Sequence, residues 1–589
     1  MQKLLTRWGK TLDKNCPLND YPRPQMKRDS FICLNGIWKY TIQDENKKFT
    51  GYQGEIVVPF SPETILSGVE KEVLPTDIMY YQKVFTFYKT NRRVLLHFGA
   101  VDYECTVTLN GKEIGSHKGG YFPFTFDVTA AIIDGENDLR LTVKDPSETG
   151  TGARGKQTFN RGQIWYTPQT GIWQTVWLEE VCEDYIENIK LTPDIDNGTL
   201  DIELFFSDNI IHECGAIVTD KGEMKGACKI IDGKGTVKLS DFELWSPENP
   251  YLYGLKIAAG SDRIESYFGM RKFSRGLDEN GIPRFFLNNK PYFFNGLLDQ
   301  GYWSDGMYTA PSDEALVYDI ETMKELGFNT LRKHIKIEPL RWYYHCDRLG
   351  MIVWQDMING GGKYNFAAIG TLPFFGVALK NKKVGRVDDG KKNYSFYGRK
   401  DENGRAEYYT DSKRMIDTLY NVTSLAMWVP FNEGWGQFDS VKACEFYKKE
   451  DPTRLVDHAS GWVDHGAGDV NSFHIYFTPF YFSKFGKNDD RPVGLTEYGG
   501  FSMRPEGHAF NTDKIFGYRI YKSQEKFDNA IKHLFEGRIA PLIKKGLSAA
   551  IYTEVSDVED EVNGLLSYDR EVLKVTPEIM KEANKKITL

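Results

Sequence analysis

Short apolar stretches broken by Gly and Asn fill the first 180 or so residues, with no helical period among them. Leu34-Asn35-Gly36-Ile37-Trp38-Lys39-Tyr40 is a turn leading into an alternating strand. Val94-Leu95-Leu96-His97-Phe98 and Cys105-Thr106-Val107-Thr108-Leu109 are further strands, the second closed by the Asn110-Gly111 turn. Residues 137–143 and 175–178 continue the pattern, which predicts a jelly-roll sandwich over residues 1–181. A second β segment, 182–272, opens with Ile189-Lys190-Leu191-Thr192-Pro193 and contains a Pro-bounded corner at 244–253. Its length and its short strands predict an immunoglobulin-like sandwich.

At about residue 273 the period changes. Leu316, Ile320, Met323 and Leu326 fall on one helical face behind Ser312, an N-cap, and Gly327 ends the helix. A second helix, 338–349, is stopped by Gly350. Each is followed by an apolar strand, which is the βα repeat. Candidate strands at 292–297, 328–334, 351–356, 425–432, 454–459, 470–476, 492–497 and 547–553 make eight, so residues 273–589 are expected to form a (β/α)8 barrel. A long insertion, about 358–412, separates the third and fourth strands and is expected to wall part of a pocket.

Two of these strands end in a carboxylate. Met427-Trp428-Val429-Pro430-Phe431-Asn432-Glu433-Gly434-Trp435 delivers Glu433 between an amide and two Trp, and Val493-Gly494-Leu495-Thr496-Glu497-Tyr498-Gly499 delivers Glu497 into a Gly-rich turn. A carboxylate at a strand mouth is costly to desolvate without a use. Each Glu alone could cap a strand or pair with a Lys. Two on the C-terminal ends of parallel strands suit glycoside cleavage, where one carboxyl donates a proton and the other attacks the anomeric carbon.

Composition narrows the field. With 589 residues the chain exceeds one core, and the net charge of −8 gives no argument for nucleic acid. Eight scattered Cys without a C-x-x-C argue against a disulfide scaffold or structural zinc. The N-terminus lacks an apolar signal core and no long apolar run appears, so a cytoplasmic protein without membrane spans is expected. No phosphate-binding Gly loop or compact metal motif appears, so no cofactor or metal is implied. His458, Asp464, His465 and His474 lie close in sequence, the basis of a rival metallohydrolase reading. A second rival is a catalytically silent carbohydrate-binding protein.

The domain order and local motifs resemble glycoside hydrolase family 2, which includes β-galactosidases, β-glucuronidases and β-mannosidases. The resemblance covers nearly the whole chain. It rests on Asn35-Gly36-Ile37-Trp38, Ser266-Tyr267-Phe268-Gly269-Met270-Arg271, Phe328-Asn329-Thr330-Leu331-Arg332-Lys333-His334, Phe431-Asn432-Glu433 and Thr496-Glu497-Tyr498-Gly499. It implies Glu433 as general acid/base and Glu497 as nucleophile, with Glu433 kept protonated by apolar neighbours and by the charge of Glu497. Around them, Asn432 is expected on a sugar 2-hydroxyl, and Arg332 and Tyr476 on Glu497. His334, His474, Asp299 and Asp356 are candidates for sugar hydroxyls, and Trp435 for a stacking platform. The partner implied is a glycoside or oligosaccharide, with a homo-oligomer open.

Two departures bear on the sugar. The first strand ends Leu297-Leu298-Asp299-Gln300-Gly301 where galactosidases show Asn-Arg-His-Glu, and Asn563-Gly564-Leu565 lacks the Asn-x-Lys by which glucuronidases grip a sugar carboxylate. The expectation is a retaining exo-hydrolase of a terminal β-linked neutral sugar, a β-galactoside first. An arabinoside and a β-mannoside follow, and a β-glucuronide comes last.

Overall fold

The computed structural model describes residues 2–207, 213–384, 386–477, 479–483 and 488–589. Its first part is a two-sheet antiparallel sandwich. Six strands (Gly54–Val58, Gly36–Asp44, Asp77–Phe87, Gly135–Lys144, Glu104–Leu109, Lys112–Lys118, in spatial order) face a sheet of Ile32–Cys33, Val176–Val181, Arg93–Phe98 and Phe124–Asp127. Leu139, Leu141 and Val143 alternate inward with their polar neighbours outward, and they pack against Tyr81, Val107 and Leu109. The Asn110-Gly111 turn has φ of 52° and 79°, the left-handed pair that a tight hairpin needs.

Among the described residues, seven strands in sheets of three and four follow between Ile186 and Phe268. Both sandwiches are tied to their neighbours by buried polar contacts. Arg28 grips Asp262 at 2.8 Å and reaches Glu179 at 3.3 Å, joining the two β-domains. Trp245 Nε1 donates to the Asp347 carbonyl at 2.8 Å, and Arg271 Nε to the Thr423 carbonyl at 2.9 Å, which fixes the second sandwich on the third domain.

That domain contains β1 (Phe294–Asp299), β2 (Thr330–Lys333), β3 (Ile352–Asp356), β4 (Leu425–Val429), β5 (Leu455–Val456), β6 (Asn471–Ile475), β7 (Val493–Gly499) and β8 (Leu547–Thr553). All ladders are parallel and run β5-β4-β3-β2-β1-β8-β7-β6; among the described residues none joins β5 to β6. Each strand falls within two residues of a predicted span at its start. The predicted β4 and β5 run too long, because Pro430 cannot continue a central ladder and β5 pairs over only two residues.

Helix α1 (Asp313–Glu325) starts as expected, with Ser312 Oγ accepting from Ala315 N. Helix α2 (Leu340–Leu349) begins two residues later than expected, behind Pro339, and ends at Gly350 with φ 75°. The insertion carries α3 (Leu372–Ala378) and ends near residue 401 rather than the expected 412. Asp401 caps α4 (Glu402–Leu419), which is the barrel helix before β4. No helix among the described residues is long and apolar enough to cross a membrane.

Parity sorts the strand residues. Phe294, Leu298, Ile352, Trp354, Met427 and Ile551 share one cluster inside the barrel, whereas Leu297, Leu331, Val353 and Leu495 belong to the cluster beneath the helices.

Candidate active site

Arg332, wholly buried on β2, organises the mouth of the barrel. Its Nε and Nη2 hold both oxygens of Asp356 at 2.9 and 3.0 Å, a fork-to-fork pair that fixes the guanidinium plane. Nη2 also donates to Asn432 Oδ1 at 2.8 Å, and Nη1 to Glu497 Oε1 at 3.2 Å. Four strands thus send Arg332, Asp356, Asn432 and Glu497 to one point. The ladders beside Glu497 shift register on both sides of β7, and such bulges re-aim side chains.

Tyr476 donates to Glu497 Oε2 at 2.6 Å. His474 sits between the acids, with Nδ1 2.7 Å from Glu433 Oε1 and 3.4 Å from Glu497 Oε2. Glu433 Oε2 accepts from Trp435 Nε1 at 3.3 Å. Glu433 itself lies beyond β4 at φ 51°, a left-handed conformation that a Glu seldom adopts. Carboxyl oxygens of Glu433 and Glu497 and a ring nitrogen of His474 all lie within 4.8 Å of one another.

Burial pushes both carboxyls above the usual Glu range. For Glu433 the main opposing influences are the Lys156 charge, the Trp435 hydrogen bond and Arg332; Glu497 is not among its principal causes, contrary to expectation. The coupling shows on the other partner. Burial comes first for Glu497, and His474, Arg332 and Tyr476 pull against it while Glu433 adds repulsion. Two carboxyls this close do not both ionise readily. The guanidinium and phenol on Glu497 mark it as the one to carry the charge. Burial also brings His474 and His334 down to about 3, so both rings are neutral.

The structure corrects several expectations. Asp299 does not reach the site. It points outward to Lys333 Nζ at 2.7 Å and accepts from Gly301 N at 2.8 Å. Period two puts Leu298 and Gln300 on the inner face instead. Asp356 is occupied by Arg332 and by His334 Nδ1 at 2.9 Å, so it orients these groups rather than meeting a hydroxyl. His474 is committed to the two carboxyls. Asn432 has its oxygen taken by Arg332, which leaves its NH2 end for a ligand. Trp435 meets Trp165 edge-on at 5.3 Å and lines a cleft against Glu433. Asp464 is gripped by Arg491 at 2.9 Å and Lys382 at 3.2 Å, so the rival metal set is not assembled. Glu433, His474 and Glu497, and separately Asp388, Asp389 and His465, are the groups close enough to share an ion among the described residues.

Residues missed from the sequence complete the mouth. Gln300 Nε2 donates to Glu554 Oε2 at 2.7 Å and Glu561 Oε2 at 3.2 Å. Glu554 Oε1 and Gln300 Oε1 are buried without a partner. Burial, then the charge of Glu561, push Glu554 well above the usual range. Glu554 directly follows β8, so the strand-end rule applied to Glu433 and Glu497 would have found it. Lys156 comes from the first domain, and its charge acts on Glu433, His334 and Glu554 alike. No sequence signal pointed to it. Its loop is anchored by Arg154 N and Gly155 N donating to the Asn359 carbonyl at 3.0 and 3.1 Å.

Comparison with known proteins bears on the family and the fold. A curated β-galactosidase of Thermoanaerobacter pseudethanolicus is 24% identical over 350 residues, 55% of this chain and 44% of its own length. A β-glucuronidase of Streptococcus agalactiae is 24% identical over 540 residues, 82% of this chain and 84% of its own. The chain spans less than two thirds of the first curated relatives it matches. In fold it is similar to a β-glucuronidase from an uncultured Clostridium, at TM-score 0.71 and 18% identity, covering 95% of this chain and 99% of the other. Residues 70–172 match the glycosyl hydrolase 2 galactose-binding domain-like model, and residues 184–271 the model described as glycosyl hydrolases family 2. The TIM barrel domain model of glycosyl hydrolases family 2 matches residues 281–577, half the chain, and with its strand-end carboxylates at one barrel mouth this protein belongs to that family of glycosidases.

Proposed function

We propose that the protein is a retaining exo-glycosidase of terminal β-linked neutral sugars, with Glu433 as acid/base and Glu497 as nucleophile. The carrying observation is the approach of the two carboxyls within 4.8 Å, with Arg332 and Tyr476 donating to Glu497 and not to Glu433. Retaining enzymes keep the pair at about 5 Å, whereas inverting enzymes leave room for a water.

Glu497 attacks the anomeric carbon while Glu433 gives its proton to the departing glycosidic oxygen. The bond formed is a glycosyl ester on Glu497. Water then attacks that carbon as Glu433 takes its proton, which frees the sugar with its configuration retained and restores both carboxyls. The Asn432 NH2, oriented through Arg332, meets the 2-hydroxyl, and Tyr476 follows the charge on Glu497.

The lack of Asn-x-Lys and the buried Glu554–Glu561 pair favour a neutral sugar, a β-galactoside first. A sugar carboxylate beside those acids would add like charge to a desolvated site. Lys156 favours a second reading, a uronide, and the Streptococcus agalactiae relative is a β-glucuronidase. The test is kcat/KM on matched nitrophenyl β-galactoside and β-glucuronide, with anomeric configuration followed by NMR on fresh product. The galactoside is expected to lead by about a hundredfold, the cost of an unpaired buried charge. A glucuronide preference that disappears in Lys156→Met reverses the choice of sugar, and an inverted product overturns the roles of the glutamates.

A further inference from the structure

A cleft of about 370 Å³ opens against Glu433, His474 and Tyr476; Glu497 does not line it. In a double displacement the acid stands on the leaving-group side of the sugar and the nucleophile on the opposite face. A cavity that meets the acid and not the nucleophile is therefore where the leaving group departs. Three parts of the chain build it. The insertion before β4 supplies Phe366 and Phe374, the first domain Trp165, and the loops after β6 and β7 supply Phe477 and Tyr518.

Its chemistry is unlike that of a second sugar site. Apart from Glu433, His474 and the Tyr and Trp rings, the described lining offers two polar side chains, Gln163 and Thr371, and no Asp, Asn, Arg or Lys. Several indole and phenol groups are already committed. Trp435 Nε1 donates to Glu433, Trp462 Nε1 to the His474 carbonyl and Tyr476 to Glu497. A sugar leaving group would bring three or more hydroxyls into a wall of rings that cannot pair them. Phe366 and Phe477 are more than half exposed, at 64% and 54%, and Phe374 is 42% exposed. Large rings left in water at the rim of a catalytic cleft mark a binding surface rather than a core. Tyr518 lies flat on Tyr476 with ring centres 3.7 Å apart, so the lining already holds one aromatic stack beside the acid.

We propose that this cleft is an aglycone site for a planar, apolar aromatic alcohol, so that the substrates are aryl or arylmethyl glycosides rather than oligosaccharides. The inference rests on Glu433 being the acid/base. It is tested with 2-naphthylmethyl, methyl and disaccharide β-glycosides of one sugar, galactose and then glucuronic acid. All three leave as alcohols, so leaving-group acidity does not decide the outcome. The naphthylmethyl glycoside is expected to exceed the disaccharide in kcat/KM by about tenfold or more, on the burial of its ring system. Phe374→Ala and Phe477→Ala should each lower the naphthylmethyl-to-methyl ratio by about threefold or more. Saturable quenching of tryptophan fluorescence by 2-naphthylmethanol, weakened in Phe374→Ala, gives a readout independent of turnover. A disaccharide that outruns the naphthylmethyl glycoside, or variants that lower every substrate alike, overturns the aglycone inference and leaves the glycosidase roles standing. If 2-naphthylmethanol binds but none of the glycosides is cleaved, the assignment of Glu433 falls and the cleft loses its role as a leaving-group site.

Discussion

Arg332 and Lys333 are neighbours on one strand, both wholly buried cations, and each meets two carboxylates. What differs is the charge count. On the outer face Lys333 and Lys336 stand against Asp299 and Glu338, two against two, and Lys333 lies over the Trp342 ring at 4.1 Å on α2. On the inner face Arg332, with Lys156 at the rim, stands against Asp356, Glu497 and Glu433. That set balances when Glu433 keeps its proton. Burial opposes the charge on Lys333, yet Asp299 and Glu338 raise its pKa above the usual value, whereas burial leaves Glu433 inclined to stay neutral. A balanced cluster holds a fold together; an unbalanced one stores a proton where chemistry can draw on it.

The largest effect that separates the two faces is loss of the proposed nucleophile. Glu497→Ala should abolish turnover of all substrates by on the order of 10^4-fold or more, about 5.5 kcal/mol of barrier. Azide should restore part of the rate as the glycosyl azide of inverted configuration. Thermal unfolding should change far less than turnover, because Arg332 keeps its paired hold on both oxygens of Asp356. Residual activity that azide leaves unmoved would place the nucleophile elsewhere.

A crossed pair comes next. Asp299→Ala leaves Lys333 buried with one partner fewer, which should cost about 3–5 kcal/mol of barrel stability. The folded fraction should still turn over within about threefold of wild type, as expected for a change that leaves the reacting groups in place. Arg332→Lys should do the reverse. A point charge cannot hold Asp356, Asn432 and Glu497 at once, so kcat should fall by roughly 10^2-fold while the midpoint in urea moves little. Thermal melts and kinetics on the same preparations decide it. If Asp299→Ala loses kcat in the folded protein, the outer cluster is part of the site.

The same pair shows what was legible in the sequence. Eight strand positions, the two sandwiches and the Asn-Glu and Thr-Glu ends follow from apolar period, Gly and Pro punctuation and the placement of acids. Asp299 was misread because a strand end was treated as one position. Counting parity from Leu298 puts Gln300 inside and Asp299 outside. Glu554 follows its predicted strand just as Glu433 follows its own, and it was missed because the strand-end rule was not carried on to the eighth strand. Lys156 is of another kind. Its partners lie 178 to 398 positions away by residue number, in a different domain, and only the folded chain brings the 151–157 loop onto the barrel. The bulges that aim Glu497 are likewise set by tertiary pairing.

The finest separation is in the pH profile of Glu433→Gln. Burial raises the Glu433 pKa, so in the wild type the acid form persists upward in pH and kcat/KM falls on the alkaline side as it deprotonates. The acid limb belongs to protonation of Glu497. Replacing Glu433 by Gln removes the alkaline limb and leaves the acid one. The loss should be severe for methyl glycosides, which need a proton on the departing oxygen. It should be no more than about tenfold for dinitrophenyl glycosides, which leave unaided. Stability follows with a definite sign. A carboxyl whose folded pKa is raised binds more protons folded than unfolded, so it weakens the fold as pH climbs from the unfolded pKa to the folded one. Glu433→Gln should therefore melt higher than wild type near neutrality, with the gap closing below the ordinary carboxyl range, where both proteins are neutral at this position. Asp299, on the balanced face, should give no such gap, since its removal destabilises the fold at neutral pH. An alkaline limb that survives in Glu433→Gln would assign that titration to another group, with Glu554 the next buried acid to replace.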